Sequence, residues 1–339
     1  MPHLVAAPGQ YRGSLSARGA AEAIARAAAD AGWSCDVAPV SDGGEGFLDA
    51  FAGFGRYQGT RVTGPLGARL EARWLLGRDS DDPNMGVAVV ESALAIGLSL
   101  VGGAEPNDPV RASSAGLGQL VAAAAKAGAR QVLVGLGGTA TTDGGLGAVE
   151  VLAPNGRSPK VEIIAACDVE TKFLESAAIF SPPKGAAPAQ VELLSRRLER
   201  VAQLYEERFG VDVRGLPGGG AAGGLAGGLA AIGAKLVPGF DLVADRLSLA
   251  ERIATADLVV TGEGYLDGRS LAAKVVGGVA RLAGLAAVPL LVVAGDGDAA
   301  VPLPFVSLVE RFGSERSWST PGDCITEVVA ERLTRRPKS

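Results

Sequence analysis

Residues 256–296 read ADLVVTGEGYLDGRSLAAKVVGGVARLAGLAAVPLLVVAGD. ADLVVTGEG is an apolar run ending in a glycine loop, KVVGGVARLAG is helical, and VPLLVVAGD is a second apolar run. A strand, a helix and a strand in that order predict parallel strands joined by a helical crossover. The chain opens with the same pattern. HLVAAP (3–8) reads as a buried strand, and Ser16 is placed to cap a helix from Ala17 to Ala31. SCDVAPVSDGGEG (34–46) reads as a second strand running into a glycine loop, followed by the helix FLDAFAGF (47–54). The two ends are therefore expected to form one discontinuous α/β domain with a Rossmann-like parallel sheet, over 1–60 plus 241–339.

The middle, 61–240, is expected to be an inserted α/β domain with a mixed sheet. GTRVTGPLGARLEARWLLG (59–77) alternates apolar and polar residues around GPLG, which predicts an antiparallel hairpin. GVAVVESALAIGLSL, SSAGLGQLVAAAAKAGA, RQVLVGLGG and VEIIAACDV continue as strands and helices. Val191, Leu194, Leu198, Val201 and Leu204 give a helix over 188–210 one apolar face. The basic end RRPKS (335–339) is expected to be solvated.

Composition excludes several functions. The net charge of -5 argues against nucleic acid. No run of 18 apolar residues goes uninterrupted, so no membrane span is expected. The N-terminus lacks the layout of a secretory signal. Three widely spaced cysteines, Cys35, Cys167 and Cys324, support neither a zinc site nor a disulfide framework, and point to a reducing, cytoplasmic location. A single histidine, His3, excludes Ser-His-Asp catalysis and His-based metal sites, leaving Asp, Glu or Lys as the base.

Glycine, at 49 residues, collects in short loops beside strands and helices. The loops are APGQYRGSL, SDGGEG, GLGGTATTDGG, GGGAAGG and TGEGYLDGRS. Ligands bind at the carboxyl ends of parallel strands, where glycine lets backbone N–H groups approach phosphate oxygens. Arg12, Asp42, Asp143, Glu263 and Asp267 add charge to four of the loops. Glycine, carboxylate and cation together suggest a Mg²⁺–phosphate site. GLGGTA (135–140) fits the loose dinucleotide pattern, but Glu150 comes too early and Asp168 too late for its ribose acid. A Walker A loop is absent; GYLDGRS is one residue short and carries Arg269 instead of Lys.

Read in order, these loops resemble the bacterial type I glycerate kinase family over nearly the whole chain. APGQYRGSLSA resembles that family's A-P-D-S-F-K-G-S-L-S-A, and PVSDGGEG its P-x-A-D-G-G-E-G. ESALAIGL, SSAGLGQLV, GLGGTATTDGGLG, ACDV, FSPPKGA, GGGAAGG and TGEGYLDGRSLAAK follow in the family's order. The resemblance implies two α/β domains with a cleft between them, where ATP and Mg²⁺ serve phosphoryl transfer to a hydroxyl of D-glycerate, usually the 2-hydroxyl, or of a close hydroxy acid. It implies a soluble kinase acting as monomer or homodimer. Gly9 and Gln10 stand where the family has Asp-Ser, and Arg12 replaces its Lys. Tyr265 and Arg269 replace an Arg and a Gln, and the segment VLAPNGRSPKVEII (151–164) is much shortened. The altered first loop leaves open a second reading, a kinase fold that has lost turnover and serves as a binding or regulatory subunit.

On this resemblance, Asp168 or Asp42 is the expected base, and Asp143 and Glu263 are expected at Mg²⁺, directly or through water. Arg12, Lys184 and Lys274 would hold the substrate carboxylate or the ATP phosphates. Ser14, Gly43, Gly44, Gly137, Gly138, Thr139, Gly262, Gly264 and Asp267 would bind substrate or phosphate.

Overall fold

A computed structural model describes residues 1–79, 82–271 and 274–334, so the 335–339 end lies outside the described residues, as do Ala272 and Ala273 of the late glycine loop. The chain divides into two compact units, one formed by Met1–Asp42 with the chain from Phe240 onward, the other by Gly43–Gly239.

The first unit holds strands β1 (His3–Ala6), β2 (Ser34–Val37), β9 (Leu258–Leu266), β10 (Leu290–Gly297) and β11 (Val306–Ser307). They form a parallel sheet in the order β11-β10-β9-β1-β2. Both chain ends thus enter one sheet, as the repeated strand-helix pattern predicts. Helix Ala17–Asp30 crosses from β1 to β2, and Ser16 caps it by accepting the Gly19 N–H at 3.1 Å. Its Ala20, Ile24, Ala27 and Ala28 recur at helical spacing, and pack with Leu4, Val260 and the helix Pro321–Thr334 into one core. Helix Val275–Leu285 packs against β9, where Gly278 leaves room for the ring of Phe240.

The second unit holds β3 (Gly55–Thr63), β4 (Arg69–Arg78), β5 (Gly86–Glu91), β6 (Gln131–Gly135), β7 (Glu162–Ala166) and β8 (Lys235–Val237) in that sheet order. β3, β4 and β5 pair antiparallel, while β5 to β8 run parallel. The 59–77 hairpin turns at Gly64–Ala68, where Gly67 adopts φ +93°. Every residue of β5 and β6 is buried, which explains their near-continuous apolar composition. Helix Pro188–Phe209 buries Leu194, Leu198, Val201, Ala202 and Tyr205 against the same core.

Residues 43–60 were expected in the first domain and fall in the second unit. Three contacts place them there. β3 pairs with β4 along its length. Phe47 fills the space over Gly135, where a Cβ would lie 2.5 Å from its ring. Buried Glu91 accepts the Leu48 N–H at 2.9 Å and the Gly46 N–H at 3.2 Å. Among the described residues, no helix is long and apolar enough to cross a membrane. Cys35, Cys167 and Cys324 are all free thiols.

Candidate functional site

In the first unit, the carboxyl ends of β1, β9 and β10 open into a cavity of about 480 Å³. Its wall includes Arg12, Ser14, Glu263, Gly264, Asp267 and Lys274, six of the residues singled out by sequence. The loop after β1 is laid directly on β9: Gly9 N–H donates to Gly262 O at 2.8 Å, and Gly264 N–H to Gln10 O at 3.3 Å. Tyr11 anchors it, its buried hydroxyl donating to Val293 O at 2.6 Å. Gly262 is required by this packing, because a Cβ there would collide with the Val293 carbonyl. A Cβ at Gly264 would lie 2.9 Å from the Arg12 nitrogen. The two glycines therefore let the loop and strand meet, before any role toward phosphate.

Glu263 is the unusual group of this wall. Burial raises its carboxyl above the usual range, opposed by the Ser270 hydroxyl and Lys274 and reinforced by Asp42 and Asp267. Its Oε1 is buried and accepts no hydrogen bond from the described residues. Asp267 Oδ1 accepts from the Ser270 N–H at 3.0 Å and from its hydroxyl at 3.2 Å, which fixes the turn after β9. Lys274 is half-buried at the start of helix Val275–Leu285. Arg12 is exposed, and Ser14 donates its hydroxyl to Tyr11 O at 3.2 Å. Asp42, half-buried, ends the first segment of this unit.

In the second unit the glycine loops cluster at the carboxyl ends of β5, β6 and β7. Gly43, at φ +93°, lies against Ala166, where a Cβ would come within 2.8 Å of the carbonyl oxygen. Gly137 lies against Gly44, with 2.7 Å between its would-be Cβ and the Gly44 Cα. Ser92 braces this contact, its hydroxyl accepting the Gly137 N–H at 3.2 Å. Gly138, at φ +62°, accepts the Leu98 N–H at 2.8 Å. Asp168 follows β7, half-buried, with Oδ1 accepting the Gly239 N–H at 2.6 Å.

Asp143 and Lys184 sit beneath this surface. Asp143 is 1% exposed. Its Oδ2 accepts the Ser114 N–H and hydroxyl, both at 2.8 Å, and the Gly147 N–H at 3.2 Å. Its Oδ1 accepts the Gly145 N–H at 3.1 Å. These four donors make Asp143 the anchor of the loop. Lys184 is 8% exposed and donates to Thr139 Oγ1 at 3.1 Å and Thr141 O at 2.6 Å. It braces the loop that carries Thr139 from below.

Burial lowers the Lys184 ammonium from 10.5 to about 7, with nearby Asp143 opposing the shift. An unfolded lysine keeps its proton to about 10.5, while the folded one loses it near 7. Between those values the unfolded chain holds more protons, so stability from this group rises with pH. A Lys184→Met variant is expected to lack that rise when urea unfolding is compared with the parent from pH 7 to 10. The difference reaches at most about 4 kcal/mol between pH 7 and 10. A variant that follows the parent's pH dependence contradicts the buried, depressed lysine.

Sequence reasoning missed Tyr11, Glu91 and Trp318. Glu91 carried a signal: a carboxylate ending the buried run VAVV has to find donors. Trp318 lines the first unit's cavity from helix Ser314–Ser319.

The chain matches the glycerate kinase family over residues 4–156 and 152–304. It is 35% identical over 329 residues to a glycerate 2-kinase of Escherichia coli K12, covering 86% of this chain and 85% of the relative. It is 33% identical over 378 residues to a glycerate kinase of Halalkalibacterium halodurans, covering 98% and 97%. The crystal structure of a Salmonella typhimurium LT2 protein described as a candidate glycerate kinase 2 superposes with a TM-score of 0.79 at 31% identity, covering 98% of each chain.

Proposed function

Because the chain belongs to the glycerate kinase family, we propose that it transfers the γ-phosphoryl group of ATP to the 2-hydroxyl of D-glycerate in a Mg²⁺-dependent reaction. The observation that carries this reading is the cavity at the carboxyl ends of β1, β9 and β10, where Glu263, Asp267, Arg12 and Lys274 converge. Cations beside a buried carboxylate, at the glycine-rich ends of parallel strands, suit a metal-bound polyphosphate.

Glu263 fits a hard divalent cation, since its buried Oε1 has no hydrogen bond from the described residues. Asp267 shares its wall, and one or two carboxylates plus substrate phosphates are the usual Mg²⁺ donors. Bound Mg²⁺ would neutralise charge on the phosphoryl oxygens. Arg12 and Lys274 would hold the phosphates or the glycerate carboxylate through charge-assisted hydrogen bonds. Asp168, or Asp42 in its place, would accept the hydroxyl proton as the oxygen attacks the γ-phosphorus. The bond from that phosphorus to the β–γ bridging oxygen breaks, and ADP departs. Positioning and charge account for such a reaction, so the lack of a suitable histidine is no obstacle.

ATP consumption by the purified protein with Mg²⁺ tests this reading, with D-glycerate compared against other small hydroxy acids and no acceptor. Turnover with D-glycerate well above the no-acceptor rate is expected. Turnover only with another acid would assign Gly9, Gln10 and Arg12 to a changed acceptor. A folded protein that binds ATP without turnover would overturn the kinase reading and favour a binding subunit.

A further inference from the structure

The lining of the first unit's cavity holds two chemically different sets of side chains. Arg12, Glu263, Asp267, Lys274 and Asp296 form the charged one. Trp318 and Tyr265 line it as well, and they are 61% and 59% exposed. An indole left open to water gains apolar contact only from an incoming partner. The other two tryptophans differ: Trp74 is 3% exposed and Trp33 is half-buried.

Trp318 is also held in place. Its ring lies against Gly13, at φ +82°, where a Cβ would stand 3.4 Å from Cζ3. Gly13 follows Arg12 directly, so the loop that carries a cation into the cavity also supports the aromatic face. The helix Ser314–Ser319 supplies the other support, with the Ser317 hydroxyl donating to Gly313 O at 2.7 Å.

We propose that Trp318 is the stacking platform for the base of a nucleoside triphosphate whose phosphates lie toward Arg12 and Lys274. This rests on the kinase reading above. Two features favour a base over the acceptor acid. Glycerate is a small polyol carboxylate with no planar or apolar face, so an indole wall gains nothing from it. The volume of about 480 Å³ also falls within the roughly 300–1,000 Å³ that suits drug-sized ligands, far above the need of a three-carbon acid. Aromatic faces stack on any base, so the site would discriminate weakly among purines.

Tryptophan fluorescence and steady-state kinetics on the full chain test this, with Trp318→Ala and Trp318→Phe beside the parent. In the parent, ATP and adenosine should quench emission, whereas inorganic tripolyphosphate should not. The KM for ATP should rise about ten-fold in Trp318→Ala, within the range of one base–aromatic stack, and exceed any change in the KM for D-glycerate. Trp318→Phe keeps an aromatic face and should recover most of the loss. An unchanged KM for ATP in a folded Trp318→Ala protein would overturn the proposal, as would a rise confined to D-glycerate. Quenching by ATP without turnover would leave the base site standing while the kinase reading fails. Turnover with no effect at Trp318 would do the reverse.

Discussion

Asp168→Asn is expected to lower kcat on the order of 10³-fold and leave the protein folded. Loss of a general base removes about 10²–10⁴-fold of rate. The substitution keeps the shape of the side chain and an Oδ1 able to accept the Gly239 N–H, which it now does at 2.6 Å. Unfolding midpoints of variant and parent should therefore agree closely. Asp168 lies two residues past the end of the parallel strand β7, whose last residue, Ala166, packs against Gly43. Turnover within ten-fold of the parent would remove Asp168 from the reaction. The same measurement on Asp42→Asn would then test the other carboxylate.

Asp143→Ala is expected to destabilise the protein by about 3–5 kcal/mol. Four donors now point at this carboxylate: the Ser114 N–H and hydroxyl, and the N–H groups of Gly145 and Gly147. Each loses its acceptor inside the protein, at about 1–3 kcal/mol for a buried group without relief. Ser114 links the same point to a further element, its hydroxyl also accepting the Ala148 N–H at 3.0 Å. Helices Ala115–Lys126 and Leu146–Leu152 thus share one anchor. Lys184 loses its nearby counter-charge as well. The thermal midpoint should fall by about 10 °C. Midpoints equal within about 1 °C, with a large rise in the Mg²⁺ needed for turnover, would assign Asp143 to the metal instead.

Much of the fold could be read from periodicity. The paired strand-helix units at the two ends share one register against β9, with Val5 opposite Val259. The 59–77 alternation became a hairpin, and the 188–210 spacing became one helix. The placement of 43–60 could not be read, because the FLDAFAGF pattern predicts a helix in either unit; the helix formed covers only Phe47–Ala50. What fixes it is distant: Glu91, 43 residues from Leu48 along the chain, and Gly135 beneath Phe47. Similar limits apply to the site. Glycine motifs located the loops, but a motif does not distinguish a carboxylate turned to a cavity from one buried beneath it. Glu263, in β9, and Asp143, in the loop after β6, are both carboxylates of glycine-rich motifs. Glu263 lines the cavity with an Oε1 that accepts nothing from the described residues, while Asp143 is held by donors from residues up to 29 positions away. Lys184 reads as a phosphate-binding cation, yet packing turns it under Thr139 and Thr141.

Label transfer from [γ-³²P]ATP to D-glycerate, with the product separated and identified, tests the central claim most directly. Label is expected in 2-phosphoglycerate, dependent on Mg²⁺ and strongly reduced in Asp168→Asn. A folded protein that binds ATP and transfers no label to D-glycerate would contradict it.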